Sequence, residues 1–501
     1  MPLRHKNLYH TMTPEAFRAA VARLDADIPH LNTDEIVIRM LTIATMPEDS
    51  HTGYFGLPPG ESFPLRLRHY DNGIYVEGAP PRYAAAVGGR LLAIGQTPAD
   101  AIYDRLEAVI PHDTGNPGLL EFVGPVLMTM GHVLHGLDIT PTADAATYVV
   151  SKGGKRMSFN LTPDVAASAI FGHAPIAGWV DARGTAPPPL WLMHPDKTFW
   201  SMYVPAAKML YIQFNAVRNA PDQTIAHFFG DTFAAARAER IDKLVLDIRM
   251  NDGGNNALLR PIIVGLIQLT AIDRRGHLFV VTSRNTYSAA QNLVNRLELY
   301  TEAIFVGQPT GQHVNSYGDP AEITLPNSHL RVGMASVWWQ DMDERDKRIE
   351  TDPELAADLT FADYVANRDP ALDEIMHYRP EQSLEDTVFH GVAMGGVQRG
   401  LAAYQAYAAD PIHRYVRAGM ERRLNTLGYK LLHEHLHDAI AVFTVNCEAN
   451  PTSANAADSL GEAYADAGDR ANAIASYRKA LQLDPKFESS RAALVRLGVP
   501  P

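Results

Sequence analysis

Residues 243–254 have the sequence KLVLDIRMNDGG, and the fold can be worked outward from them. The continuous apolar run that ends in charge at Asp247 to Arg249 is typical of a buried strand in a parallel sheet. Paired glycines at 253 and 254 let the backbone turn sharply and present its N–H groups. The apolar spacing from Leu258 to Ile267 then predicts a helix packed on the sheet. Strand, glycine turn and helix therefore follow in order, and the turn can hold an anion.

A second strand is predicted at LFVVT, residues 278–282, and the segment SRNTYSAAQN at 283–292 leads from it into another helix. Ser288 falls between the strand and the helix start, where first-turn N–H groups are unpaired and the helix dipole favours an oxyanion. We therefore take Ser288 as a candidate nucleophile. The alternative is that Ser288 is only a helix N-cap, a position at which serine is common.

The third segment, AIFVGQPTGQH at 303–313, is a short apolar strand that runs into another glycine turn. With it the chain resembles the tail-specific, or carboxyl-terminal-processing, serine peptidases, the family that includes the catalytic core of tricorn protease. That family has a Leu-Arg-Asn-Asn-Gly-Gly-Gly-like turn, then Ser-Ala-x-Glu at a helix start, then Val-Gly-x-x-Thr. The corresponding residues here are 248–254, 288–291 and 306–310, in the same order and at similar spacing.

The resemblance implies that Ser288 is acylated and that the N–H of Ala289, with that of Gly253 or Gly254, forms the oxyanion hole. A tetrahedral intermediate needs such fixed donors where charge develops, and each contributes about 3 kcal/mol. The chemistry requires no metal and no organic cofactor.

Many family members use as general base a lysine at the position where this chain has His313, so the base here must be another residue type. A serine hydroxyl needs a neighbouring base, and a histidine with a pKa near 6.5 can supply one. His51 lies in PEDSHTG, residues 47–53, which resembles the Gly-Asp-Gly-His-Thr segment of many non-lysine members. We rank His51 first and His313 second.

Two further assignments follow from the resemblance. Gly311 and Gln312, in the turn before His313, are expected to bind substrate. Tricorn-type sites carry a histidine on an early core strand, but Gln213 stands at that position here. The acid that would orient the base stays open, and the candidates are Asp341, Asp343, Glu344 and Glu350.

The composition is that of an ordinary globular protein. The 501 residues carry a formal net charge of −13, with 46% hydrophobic and 20% charged residues, which argues against a nucleic-acid-binding surface. The single Cys447 excludes an internal disulfide framework and a cysteine-cluster metal site. No apolar run approaches the roughly 18 residues of a membrane span, and no signal peptide is visible. The resemblance nevertheless favours a periplasmic or secreted protein.

The expected fold class is a multi-domain α/β (α+β) protein. Its predicted parts are a helical subdomain that presents the His51 loop, a degenerate PDZ-like β region, a ClpP/crotonase-like serine peptidase core, a helical connector and tetratricopeptide repeats, at residues 1–72, 73–200, 201–378, 379–412 and 413–501. A sheet edge in the PDZ-like region could receive a peptide by strand addition.

The repeat prediction rests on residues at tetratricopeptide spacing, with an earlier copy that begins at Leu427-Gly428. The main copy comprises Leu460, Gly461, Tyr464, Ala473, Tyr477, Ala480 and Pro485. Such helix pairs stack into a concave surface, so we expect a protein partner or self-association there, with stabilisation of the fold as the alternative.

The predicted function is therefore a serine peptidase that acts on a peptide or protein substrate. Two alternatives remain open. Gln213 and the absent lysine favour a catalytically inactive homologue that binds a peptide or an apolar ligand. An esterase or amidase for small substrates would need the same acylation residues.

Overall fold

The computed structural model describes residues 1–54, 60–326, 330–379 and 383–500. The chain forms two compact units. The first comprises Met1–Pro353 with Ala357–Met376, and the second comprises Glu354–Ala356 with His377–Pro501. The five domain ranges drawn from the sequence stay predictions.

The first unit begins with two helices, followed by a mostly antiparallel sheet. Thr13 caps the first helix by accepting the Ala16 N–H at 3.1 Å. The helices of this region are α1 Pro14–Asp27, α2 Thr33–Thr45, α3 Ala99–Glu107, α4 Gly118–Leu127, α5 Gly131–Gly136 and α6 Ala167–Ile170. Its strands are β1 Gly53–Tyr54, β2 Glu61–Ser62, β3 Arg66–Tyr70, β4 Gly73–Ala79, β5 Arg90–Ile94, β6 Thr97–Pro98, β7 Ala146–Lys152, β8 Lys155–Leu161, β9 Val165–Ala166 and β10 Val180–Asp181.

The antiparallel sheet has the order β10-β4-β5-β7-β8, with β3 paired to β4 and β6 paired to β5. One face buries a core that includes Val76, Ile94 and Tyr148, against which Ile102 and Leu106 of α3 pack. The alternation of half-buried and exposed side chains along most of β8 is that of an antiparallel strand with one solvated face. The PDZ-like character of this region stays a prediction.

The second part of the unit contains a mostly parallel sheet with helices between its strands. The strands of this part are β11 Phe199–Val204, β12 Met209–Phe214, β13 Lys243–Asp247, β14 Leu278–Thr282, β15 Ile304–Gly307, β16 Asn315–Thr324 and β17 Arg331–Gln340. Strands β16 and β17 pair antiparallel in a separate sheet with β1. Its helices are α7 Ile225–Glu239, α8 Arg260–Ile267, α9 Ala289–Tyr300, α10 Phe361–Val365 and α11 Pro370–His377. The mixed α/β class and the strand, turn and helix order predicted from residue 243 onward are confirmed.

Strands β12, β13, β14 and β15 are mutually parallel, and β11 pairs antiparallel with β12. Leu244, Leu246 and Val280 on one face of the sheet pack against Phe229 of α7 and Leu293 of α9. Because the carboxyl ends of parallel strands lie at one edge of a sheet, the loops that follow β13, β14 and β15 meet there.

The second unit is almost entirely helical. Its elements are β18 Leu355–Ala356, α12 Leu384–Ala409, α13 Met420–Leu431, α14 Leu436–Ala449, α15 Ala454–Asp466, α16 Arg470–Leu483 and α17 Glu488–Arg496.

Successive helix pairs of this unit repeat one packing contact. A Cβ placed on Gly428 of α13 would lie 2.5 Å from the Phe443 ring of α14. A Cβ on Gly461 of α15 would lie 2.9 Å from the Tyr477 ring of α16. Each pair thus joins a glycine to an aromatic ring at close range, as expected for copies of one helical repeat. Within the parts of the chain that the structure describes, no helix is long and apolar enough to cross a membrane.

Candidate active site

Ser288 lies at the N-terminus of α9, and its hydroxyl is not used as a helix cap. The side chain makes no capping hydrogen bond. Its Oγ instead lies 2.9 Å from Nε2 of His51, a residue 237 positions away in the sequence. The structure therefore brings the candidate nucleophile and the first-ranked candidate base into hydrogen-bonding contact.

The backbone at Ser288 is strained, with φ +57° and ψ −125°. A non-glycine residue in such a sparsely populated conformation costs roughly 1–3 kcal/mol and needs surrounding contacts to hold it. The Tyr287 N–H donates to the Asn251 carbonyl at 3.1 Å, and the Ser288 N–H donates to Gln312 Oε1 at 2.6 Å. These bonds hold the sharp turn that points the hydroxyl toward His51.

Two buried carboxylates hold the loop that carries His51. The His51 N–H donates to Asp49 Oδ1 at 3.0 Å, and the Ser50 N–H donates to Asp113 Oδ1 at 2.8 Å. The other oxygen of Asp49 lies 2.7 Å from Nε2 of His5, which is also buried. The loop is thus tied to the N-terminal segment and to the segment before α4.

The hydroxyl of Tyr287 indicates which nitrogen of His51 carries the proton. It donates its single hydrogen to the Ser50 carbonyl at 2.6 Å, and its oxygen lies 2.9 Å from His51 Nδ1. With that hydrogen on the carbonyl, the Tyr287 oxygen accepts from Nδ1, and we therefore assign the imidazole hydrogen to Nδ1, which leaves the Nε2 lone pair for Ser288. The two rings also stack, with centroids 4.8 Å apart.

Burial sets the charge state of both rings. It lowers the pKa of His51 below the ordinary 6.5, although Asp113, Asp49 and Asp319 and a hydrogen bond to the Tyr317 backbone act in the opposite direction. Burial also raises the pKa of Tyr287 well above its ordinary value. At neutral pH the imidazole is therefore an uncharged base, and the phenol keeps its proton.

The glycine turn lies directly against the nucleophile. Gly253 has φ +100°, and a Cβ on it would lie 2.5 Å from the Ser288 Cβ and 2.8 Å from the Ala289 nitrogen. Its own N–H donates to Asn251 Oδ1 at 2.9 Å, so Gly253 is not available as an oxyanion donor. Among the described residues, the N–H groups of Gly254 and Ala289 have no acceptor. Of the two glycines that the sequence left open, only Gly254 therefore keeps a donor.

In the part of the chain that the structure describes, the hydrogen bonds of His313, the second-ranked candidate base, go to other partners than Ser288. Its Nε2 lies 2.9 Å from the Thr114 carbonyl oxygen, and its backbone N–H donates to Asp113 Oδ2 at 3.1 Å. The side chain of His313 and its backbone N–H therefore tie its turn to the segment of residues 113–114.

Gly311 and Gln312, for which the sequence predicts substrate binding, use polar groups in hydrogen bonds within the protein, and their substrate-binding role stays a prediction. The Gly311 N–H donates to the Thr286 carbonyl, and a Cβ there would lie 2.0 Å from the Arg284 carbonyl oxygen. Gln312 is only 2% exposed; it accepts from the Ser288 N–H, and its Nε2 donates to Ser316 Oγ at 2.8 Å. Both residues therefore help to hold the loops of the site in place.

The four acids proposed as orienters are placed elsewhere. Asp341 accepts from the Asn292 side chain, and Glu344 is exposed to solvent. The other two candidates pair with arginines, Asp343 with Arg345 and Glu350 with Arg284.

Gln213, at the position of the tricorn-type histidine, is fully buried within the sheet. It accepts from the Trp200 indole at 3.0 Å and donates to the Trp191 carbonyl at 2.8 Å. Its amide is therefore already satisfied. Among the described residues, no group of three or more His, Cys, Asp or Glu side chains is arranged to hold a metal ion.

Sequence reasoning missed Tyr287 and the two loop carboxylates. Asp49 lies two residues before His51, the spacing at which an aspartate side chain commonly accepts a backbone N–H, and this signal was available. Tyr287 and Asp113 carry no comparable signal, because their partners lie on distant segments.

No family model matches the chain. Similar solved structures include mature CPAF complexed with lactacystin, at 12% identity and a TM-score of 0.43, over 71% of this chain and 90% of that one. The photosystem II D1 C-terminal processing protease is 14% identical with a TM-score of 0.31, over 70% and 95%. A putative S41 protease from Bacteroides fragilis is 13% identical with a TM-score of 0.28, over 66% and 82%.

The similar curated proteins match a short segment. Cellulose synthase operon protein C of Escherichia coli K12 is 37% identical over 95 residues, which are 19% of this chain and 8% of that protein. The putative protein of the same name from strain O157:H7 matches to the same extent. The chain therefore spans less than a tenth of the length of these relatives.

Proposed function

We propose that this chain is a serine peptidase in which Ser288 is the nucleophile and His51 is the general base. The observation that carries the proposal is the 2.9 Å contact between Ser288 Oγ and His51 Nε2. This distance is within hydrogen-bond reach for transfer of the hydroxyl proton to a base that burial keeps uncharged.

The reaction then proceeds in two stages. His51 Nε2 takes the Ser288 proton while Oγ attacks the peptide carbonyl carbon, and the carbonyl oxygen becomes an oxyanion. When the C–N bond breaks, the same nitrogen gives the proton to the leaving amine, and an acyl-enzyme remains on Oγ. A water molecule, deprotonated by His51, hydrolyses this ester and regenerates the hydroxyl.

The oxyanion is held by the N–H groups of Ala289 and Gly254 in this proposal. Support comes from the close approach of Gly253 to the first N–H of α9, and from the fact that neither N–H group has an acceptor among the residues that the structure describes. The helix N-terminus adds a favourable dipole. Gly253 itself allows the approach, because no larger residue fits against the serine.

Tyr287 and the Ser50 carbonyl take the orienting role that other serine hydrolases give to an acid. The chain from His51 Nδ1 through the Tyr287 oxygen to the carbonyl holds the imidazole in the tautomer that can accept a proton at Nε2. A neutral orienter stabilises the imidazolium less than a carboxylate would. Asp49 and Asp113 supply negative charge nearby and offset part of that difference.

The substrate is a peptide or protein, and the specific proposal is cleavage of the tail-specific type. It rests on the motifs of residues 248–254, 288–291 and 306–310, which resemble that family. The helix pairs of the second unit are proposed as a surface for a protein partner or a second copy. The chemistry requires neither a metal nor an organic cofactor.

The test is intact-mass analysis after incubation with a serine-directed fluorophosphonate at neutral pH. We expect one adduct on the parent and on His313→Ala, none on Ser288→Ala, and a rate at least 100-fold lower on His51→Ala. His313→Ala is the matched control, because it removes a nearby histidine that does not contact the serine. Unchanged labelling of His51→Ala would refute the base assignment, and no adduct on the folded parent would favour the inactive ligand-binding homologue. Parallel assays with a peptide amide and a small ester then separate a peptidase from an esterase.

A further inference from the structure

Two arginines on β3 are buried beneath the loop of residues 171–178. Arg66 is 4% exposed and Arg68 is 7% exposed. Residues two apart on a strand project from the same face, so both guanidinium groups lie on one side of the sheet. Burial of two adjacent cations is costly and requires compensation.

Both guanidinium groups reach the same short piece of backbone. Arg66 Nη2 donates to the Ala174 carbonyl at 2.5 Å, and Arg68 Nη2 donates to the Gly172 carbonyl at 2.6 Å. These carbonyls flank His173, whose ring packs edge-on against Trp191 with centroids 5.5 Å apart. The two arginines, His173 and Trp191 therefore form one cluster.

This cluster contains hydrogen-bond donors that no acceptor satisfies. In the part of the chain that the structure describes, Arg66 Nε, Arg68 Nε and Nη1, and Trp191 Nε1 are buried without a hydrogen-bond partner. Each unsatisfied buried donor costs about 1–3 kcal/mol, and a charged one costs more. Native interiors rarely leave several such donors together, so their concentration here points to an absent acceptor.

The local charge is positive, as an anionic partner would require. Glu77 is the nearest carboxylate, with Oε1 3.6 Å from Arg68 Nε, and that oxygen already accepts from the Tyr70 hydroxyl at 2.6 Å. Other carboxylates near the cluster are paired with other arginines: Asp181 with Arg183, and Asp247 and Asp369 with Arg249. Arg66 and Arg68 thus share one carboxylate and keep an excess of positive charge.

His173 adds no charge of its own. Burial, together with Arg68, Arg66, Arg183 and Arg249, holds its pKa well below the ordinary 6.5. The ring is therefore neutral at pH 7 and does not repel an anion.

We propose that Arg66, Arg68 and Trp191 form a binding site for an oxyanion of the carboxylate or phosphate class. Guanidinium groups present planar pairs of N–H donors that match the oxygens of such anions, and the indole N–H adds a further donor. The site is distinct from Ser288 and His51 in every residue. The carboxylate of a peptide and free inorganic phosphate share this chemistry, and they are the two sources to distinguish.

The first experiment is isothermal titration calorimetry of inorganic phosphate into the full chain at constant ionic strength. Saturable binding is expected for the parent and equally for Ser288→Ala, so the result does not depend on the proposed hydrolysis. Arg66→Gln and Arg68→Gln should each weaken binding at least tenfold. Arg82→Gln is the matched control, since Arg82 is exposed and pairs with Asp164, and it should bind like the parent.

A conservative variant keeps the test decisive if a glutamine variant does not fold. Arg66→Lys retains the charge but lacks the Nε–H, so several-fold weaker binding with an unchanged near-ultraviolet circular dichroism spectrum is expected. Parent-like binding by Arg66→Lys and by the glutamine variants would overturn the proposal.

The source of the anion is resolved by competition. A peptide with a free carboxyl terminus, compared with its carboxamide, should displace phosphate if the natural ligand is a peptide carboxylate. Phosphate binding without displacement by either peptide assigns the site to a free anion, which the proposal also covers. Absence of saturable binding by both phosphate and the free-acid peptide at millimolar concentration would refute it.

Discussion

Replacement of Tyr287 by phenylalanine tests the orientation of His51 most directly. The change removes one hydroxyl and leaves the buried ring in place, so the stacking on His51 is kept. It leaves the Ser50 carbonyl without the hydrogen that it accepts at 2.6 Å, and His51 Nδ1 without the oxygen at 2.9 Å.

The magnitude follows from those two contacts. A hydrogen bond contributes about 1 kcal/mol net, and an orphaned buried polar group costs about 1–3 kcal/mol. We expect about 1.4–2.7 kcal/mol of this hydrogen-bond free energy to be lost in the transition state, where the imidazole must keep its Nε2 lone pair directed at the serine. That loss lowers kcat by roughly 10- to 100-fold. KM should change little, because the Tyr287 side chain is 7% exposed and lies behind the histidine.

The assay is steady-state hydrolysis of a peptide substrate, with urea unfolding measured on the same protein samples. Tyr148→Phe is the matched control, since the Tyr148 hydroxyl is fully buried and also donates to a backbone carbonyl, that of Met128, at 2.6 Å. It should lose similar stability and keep its kcat. A Tyr287→Phe enzyme within twofold of the parent, or an equal loss of kcat in Tyr148→Phe, would refute the proposed role.

Three other outcomes are expected. Because burial lowers the pKa of His51, the base stays neutral into mildly acidic solution. The value of kcat/KM should therefore fall on the acid side with a midpoint below pH 6.5, and a midpoint above pH 6.5 would contradict the assignment. Gly253→Ala should lower kcat on the order of 100-fold, because the added Cβ would displace the nucleophile. The control is Gly153→Ala, which should keep the parent rate, since Gly153 also has a positive φ but open space around it. Gly428→Val should destabilise the second unit by roughly 1–3 kcal/mol in urea unfolding, because the added atoms overlap the buried Phe443 ring; unchanged stability would show that the helices repack.

Much of the core sheet was predictable from local patterns. The apolar run at residues 243–249 and the LFVVT segment at 278–282 became adjacent parallel strands, because continuous hydrophobicity is required of strands buried on both faces. The position of Ser288 between strand and helix also followed from the sequence. Its backbone conformation did not, since a serine at φ +57° is held there only by bonds from other segments.

The sequence alone therefore established the α/β class, the order of strand, glycine turn and helix, and the candidate serine. These features depend on residues close together in the chain, and hydrophobic periodicity and glycine placement report them directly. The ranking of His51 before His313 came from the sequence, whereas the contact of His51 with Ser288 and the position of Tyr287 beside His51 Nδ1 came only from the tertiary structure. His51 and Ser288 are 237 positions apart, and packing of distant segments determines which side chains meet. A motif can place a histidine in a loop, but whether its nitrogen faces the serine depends on every contact that positions that loop.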